Sequence, residues 1–148
     1  NFHSENNEKG LFAKLKEAGV EFVINAGAGI ESSIGAIENT KKYTNVYATI
    51  GIHPEYVNSG DNIETLRKLY EENKDSGKIV AIGEIGLDYH YTKEFKAEQK
   101  KLFKEQLEFA YEVGLPVQIH SRDASIDTVE ILEQITPIYN FKATEEVD

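Results

Sequence analysis

Short apolar runs alternate along this chain with stretches where apolar residues recur every three or four positions. The first pattern marks buried strands and the second marks helices with one buried face. Leu11, Phe12, Leu15 and Ala18 share one side of a predicted helix over about 8–18, stopped by Gly19. "VEFVINAG" (20–27) reads as a strand, followed by a helix over about 31–43 opened by "ESS". "NVYATIGIHP" (45–54) is a second strand, stopped by Pro54. The helix over 61–77 has Asp61 as candidate N-cap, Glu64 three residues on, and Gly77 at its end. "KIVAIGEIG" (78–86) is the third strand. A long helix over 94–113 follows, with Phe95, Leu102, Phe103, Gln106, Phe109 and Ala110 along one side and Gly114 closing it. "LPVQIH" (115–120) is the fourth strand, and a last helix spans about 124–135, ended by Thr136-Pro137. The polar tail 140–148 fits none of this pattern.

The strands are apolar on both faces and rich in Val and Ile, and helices separate them. That combination predicts parallel pairing with both sheet faces covered. The fold class is α/β, either doubly wound or a (β/α) barrel. "NAGAGIESS" (25–33) has a G-x-G but no third glycine in place, which argues against a dinucleotide site. A complete barrel needs eight strands and about 250 residues. With 148 residues and about four βα units, the reading is a partial (β/α)8 TIM barrel. The whole chain is taken as one incomplete domain, with 137–148 left unassigned.

Composition narrows the chemistry. Without cysteine the chain has no disulfide and no thiolate ligand, so a metal here takes His, Asp, Glu and water, as Mg, Mn or Zn do. The chain has no run of about 18 apolar residues and no secretory segment at its start, so a cytoplasmic protein without membrane contact is expected. A chain with no methionine that begins at Asn1 reads as a fragment. The net charge of −10 argues against broad, metal-free phosphate binding, which relies on Lys and Arg. It leaves room for a nucleic acid held by metal ions in a local cleft.

Three strands end in an ionisable residue: His53, Glu84 and His120. In a parallel α/β fold the C-terminal strand ends share one face, where active sites lie. Placement, not spacing, therefore gathers these groups. A carboxylate at a barrel mouth is costly unless paired or metal-bound, which favours a functional Glu84. His120 alone could be a core histidine, but "SRD" after it at a strand-to-helix turn favours function. His53 before Pro54 reads equally well as a turn residue. Arg122 could clamp a phosphate, fixed by Asp123, or could lie on the surface beside an N-cap Asp123. Asp88 could be a turn residue after Gly86. His90 and His3 are expected in solvent.

"GIHP" (51–54), "VAIGEIGLDYH" (80–90) and "LPVQIHSRDA" (115–124) resemble the TatD family of metal-dependent deoxyribonucleases, in the amidohydrolase-like barrel group. The resemblance covers about residues 8–136. It implies a divalent-metal centre hydrolysing phosphodiester bonds of DNA. By this resemblance Glu84 bridges two metals and His120 binds one of them. His53 and Arg122 lie near the substrate phosphate, and Asp88 and Tyr89 at the rim of the cleft. The family also begins with a strand carrying an H-x-H pair, and it has a later histidine and a late aspartate. None of these four ligands has a match here, and His3 is not one.

Three functions are carried forward: a TatD-type DNase with two ions in the complete protein, a metal hydrolase of a non-nucleic ester or amide, and a silent half-barrel that self-associates. The last follows from the sheet edges and apolar faces that an open half-barrel exposes.

Overall fold

The computed structural model describes residues 14, 17–19, 22–90, 93–139 and 143–147. Most of the predicted first helix and His3 lie outside the described residues; Lys14 and Glu17 are helical, and Gly19 adopts φ +82°. The elements are β1 (Val23–Ala26), α1 (Ile30–Lys42), β2 (Val46–Ile50), α2 (Ile63–Asn73), β3 (Ile79–Asp88), α3 (Lys96–Val113), β4 (Val117–Arg122), α4 (Ser125–Tyr139) and β5 (Ala143–Val147). All strand pairs are parallel and the sheet order follows the chain order. The sheet is a curled half of a (β/α) barrel, as the alternating pattern predicts. No helix among the described residues is long and apolar enough to cross a membrane.

The core lies between sheet and helices. Ile50, Ile82, Ile85, Leu87 and Ile119 of the strands meet Leu66 of α2 and Phe103 and Leu107 of α3, all fully buried. On β1 the side chains alternate. Asn25 faces α1, where its Oδ1 accepts from Asn39 Nδ2 at 2.7 Å, so Ile24 points the other way and is 50% exposed.

Several boundaries differ from the sequence pattern. Asp61 does not cap the helix it precedes. Asn62 does so, accepting from Thr65 N at 2.9 Å, while Asp61 Oδ2 accepts from Ile30 N at 3.0 Å in the first turn of α1. Strand β3 runs on to Asp88, so Asp88 is a strand residue paired with Arg122. Helix α4 continues to Tyr139, past the expected stop at Thr136-Pro137, and the tail supplies β5 along β4. Gly114 stops α3, and Gly77 stops the 3-10 turn Lys74–Ser76 that follows α2, both in the left-handed conformation.

Gly86 makes the extension of β3 possible. It adopts φ +144°, and a Cβ there would sit 1.9 Å from the carbonyl oxygen of His120. Only glycine permits both the dihedral and the approach of β3 to β4. Positive-φ strain alone costs about 1–3 kcal/mol, and overlap with backbone adds to it. Gly86→Ala is therefore expected to cost more than about 3 kcal/mol in urea unfolding. Gly60→Ala, at φ +96° with nothing within 4 Å, is expected to cost about 1–2 kcal/mol. Equal losses at the two positions would show that the β3–β4 approach does not need a glycine.

Candidate metal centre

Three parallel strands deliver the predicted side chains to one face. His53 follows β2, and its backbone N–H donates to Ala28 O at 2.8 Å. Pro54 then starts a short 3-10 turn over Pro54–Tyr56, whose entry His53 caps by accepting from Glu55 N on its Nδ1 at 3.1 Å. Glu84 lies on β3, half-buried, with its backbone N–H on Gly27 O at 3.2 Å. His120 lies on β4, with Gly86 of β3 as its register partner. Ligand atoms of His53, Glu84 and His120 all lie within 4.8 Å of one another. The two imidazole rings are 4.3 Å apart between centroids.

Both ring nitrogens of His120 have carboxylate neighbours. Nε2 lies 3.0 Å from Asp88 Oδ2, and Nδ1 lies 3.4 Å from Glu84 Oε1. Asp88 is 1% exposed, and its Oδ1 accepts from His90 N at 2.9 Å. A buried carboxylate fixed in this way keeps the proton of His120 on Nε2. In the neutral ring that leaves the Nδ1 lone pair toward Glu84; in the protonated ring Nδ1–H donates to Glu84 Oε1. Two donors about 2.1 Å from one tetrahedral ion stand about 3.4 Å apart. An imidazole nitrogen and a carboxylate oxygen at this separation fit one divalent cation, and a mixed nitrogen and oxygen donor pair suits Mg, Mn or Zn unequally but excludes none of them.

His53 differs from His120. Its Nδ1 accepts a backbone N–H, so its proton is on Nε2. A neutral imidazole in that tautomer is a hydrogen-bond donor to the cleft. Metal ligation through Nε2 would require the Glu55 contact to break. Burial first, and then the neighbouring His120, hold the pKa of His53 below the usual histidine value. The hydrogen bond with Glu84, supported by Asp88, holds that of His120 above it. Glu84 is correspondingly shifted below the usual carboxylate value, chiefly by the His120 hydrogen bond.

The remaining predicted residues fall around this cluster. Asp88 lies beneath His120 and not at the rim, because β3 continues past Gly86. Arg122 ends β4, half-buried, two residues beyond His120 on the same strand face, and its carbonyl accepts from Tyr89 N at 3.0 Å. Tyr89 donates its hydroxyl to Asp127 Oδ2 at 2.6 Å and lies under Lys96 Nζ, 4.5 Å from the ring centre. Burial and that hydrogen bond push the phenol pKa well up. His90 is exposed, as expected, with Nδ1 3.2 Å from Asp123 Oδ2. Asp123 adopts φ +52° before Ala124, whose carbonyl accepts from Thr128 N, so Asp123 is not the cap of α4. Sequence reasoning gave no role to Asp127 or to Gln99, which pairs with the backbone of Asp88.

A parallel half-barrel that gathers two imidazoles and a carboxylate at its C-terminal strand ends is the framework of a metal-dependent barrel hydrolase. The model of the TatD related DNase family matches residues 1–141, and the chain belongs to this family. It is 40% identical over 124 residues to a Bacillus subtilis protein named an uncharacterized metal-dependent hydrolase, YabD, covering 84% of this chain and 48% of that protein. It is 35% identical over 136 residues to a Schizosaccharomyces pombe protein named Deoxyribonuclease Tat-D, covering 86% of this chain and 44% of that one. The crystal structure of YjjV, a TatD homologue from Escherichia coli K12, superposes with a TM-score of 0.77 at 28% identity, covering 90% of this chain and 52% of that one. The chain spans about half the length of the curated relatives it matches.

The two histidines are expected to titrate apart in the metal-free protein. By NMR, His120 should titrate above about 6.5 and His53 below it. The raised pKa of His120 adds stability that is full below about 6.5 and is lost as pH rises through its folded value. A cation competes with the proton shared by His120 and Glu84, so its affinity should rise over that same window. Titration of both rings together near the ordinary value would contradict the different surroundings of the two rings.

Proposed function

We propose that this chain carries part of the active centre of a TatD-type metal-dependent deoxyribonuclease, which hydrolyses phosphodiester bonds of DNA. The observation that carries the reading is His120, held by Asp88 on one ring nitrogen and turned toward Glu84 with the other. The family membership and the names of the Bacillus and Schizosaccharomyces relatives support it. Glu84 and His120 would hold the metal, and the complete protein would take two divalent ions, Mg, Mn or Zn.

A divalent cation at this position supplies, when bound, an acidified water and neutralisation of phosphate charge. The chain's own residues do the rest. Asp88 fixes the ring of His120 and keeps its Nε2 proton. His53 presents Nε2–H to a phosphate oxygen, a role its tautomer favours over metal ligation. Arg122, on the strand face of His120, pairs the phosphate through its planar guanidinium. Tyr89, with its hydroxyl fixed on Asp127, contacts the substrate at the rim. With a net charge of −10, the protein engages DNA through this local set and not through a broad basic surface.

A second reading rests on the exposed apolar side of β1. Phe22 and Ile24 are 60% and 50% exposed and line an open apolar pocket with Tyr47 and Val80. On this reading the half-barrel associates with a second copy through that face and is catalytically silent.

One comparison separates the readings: nucleotide release from single-stranded DNA by the full-length protein, beside small esters and amides. Expected is Mn- or Mg-dependent release, abolished by chelation and reduced by on the order of 100-fold or more in Glu84→Gln and His120→Asn. Faster turnover of the small substrates would move the assignment to a non-nucleic hydrolase. No turnover and no Mn2+ uptake, with a dimer in sedimentation, would favour the associating half-barrel.

A further inference from the structure

Helix α3 carries two glutamines in its buried face, and each grips a residue at a strand end of the metal cluster. Gln106 Oε1 accepts from Ile52 N at 2.7 Å, and its Nε2 donates to Ile52 O at 3.0 Å. Gln99 Oε1 accepts from Asp88 N at 2.8 Å, and its Nε2 donates to Asp88 O at 3.0 Å. Both side chains are essentially fully buried, at 0% and 1% exposure. Seven residues apart, they lie about two turns from each other on one helix face.

The chemistry explains why these positions are polar inside an apolar stripe. Near the strand ends the sheet no longer pairs every backbone N–H and C=O, yet Ile52 and Asp88 remain buried. Their N–H and C=O groups require partners. A primary amide offers one acceptor and one donor side by side, so a single glutamine satisfies both groups of one residue. Leucine would fill the same space and leave both unpaired.

The two gripped residues are not arbitrary. Ile52 immediately precedes His53, and Asp88 holds His120. We infer that Gln99 and Gln106 are positioning residues, through which α3 acts as a splint that sets the separation of the His53 loop from the Asp88–His120 pair. The spacing of the imidazoles in the cluster then depends on one rigid helix behind the sheet. This deepens the metal-centre reading and rests on it for the effect on metal affinity, but not for the geometry.

Gln99→Met and Gln106→Met keep volume and remove both hydrogen bonds. Gln99→Glu and Gln106→Glu, nearly isosteric, serve where a Met variant does not fold. Leu107→Ala is the control, a fully buried apolar residue of α3 that grips no strand end. Each folded protein is titrated with Mn2+. Without metal, amide exchange at Ile52 and Asp88 is recorded, together with the NMR contact between the His53 and His120 rings. Expected for the Met variants is Mn2+ affinity weakened on the order of 10- to 100-fold. Amide protection should be lost at Ile52 alone in Gln106→Met and at Asp88 alone in Gln99→Met, and the ring contact should weaken in both. Leu107→Ala should lower the melting temperature and leave affinity and ring contact unchanged. Glutamine variants that lose only melting temperature, as Leu107→Ala does, would overturn the inference. If the unsubstituted protein takes up no Mn2+, the metal reading fails separately, and ring contact with amide exchange still decides the positioning role.

Discussion

The buried carboxylate of Asp88 on Nε2 of His120 is the contact from which the rest of the site follows. An imidazole has one proton to place when neutral, and a carboxylate at 3.0 Å decides where it goes. With Nε2 committed, Nδ1 is the nitrogen that faces Glu84. The same logic separates the two histidines. His53 accepts a backbone N–H on Nδ1 and so turns a donor toward the cleft, while His120 turns a lone pair toward it. Two imidazoles 4.3 Å apart thereby hold different chemical roles.

That contact exists only because β3 reaches Asp88, and β3 reaches Asp88 only because residue 86 is a glycine. Any Cβ there would overlap the backbone of His120, the residue that the extension serves to position. Behind the sheet, α3 ties down the same strand end through Gln99 and its neighbour through Gln106. The cluster is thus fixed from two sides, by a backbone approach within the sheet and by a helix packed against it. The hydrophobic core around Phe103 and Phe109 keeps that helix seated.

Much of this was legible in the sequence. The alternation of apolar runs and helical periods gave the parallel α/β order, and that order put His53, Glu84 and His120 on one face without any spacing motif. What was not legible depended on partners far away in the chain. Asp61 reads locally as a helix cap, yet its carboxylate serves α1. Asp88 reads as a turn residue after glycine, because no local signal shows that a φ of +144° continues a strand. The stretch 143–147 is mostly polar and weak in strand propensity, so only its pairing with β4 defines it. Gln99 and Gln106 left a visible trace, two amides seven residues apart on an otherwise apolar helix face, but the backbone groups they satisfy could not be named from sequence.

The most direct test of the account is an anomalous-difference map from crystals of the protein loaded with Mn2+. A strong peak is expected within bonding distance of His120 Nδ1 and a Glu84 carboxylate oxygen, with Asp88 still on Nε2. A peak bonded to Nε2 with Asp88 displaced, or no peak between Glu84 and His120 at saturating Mn2+, would contradict it.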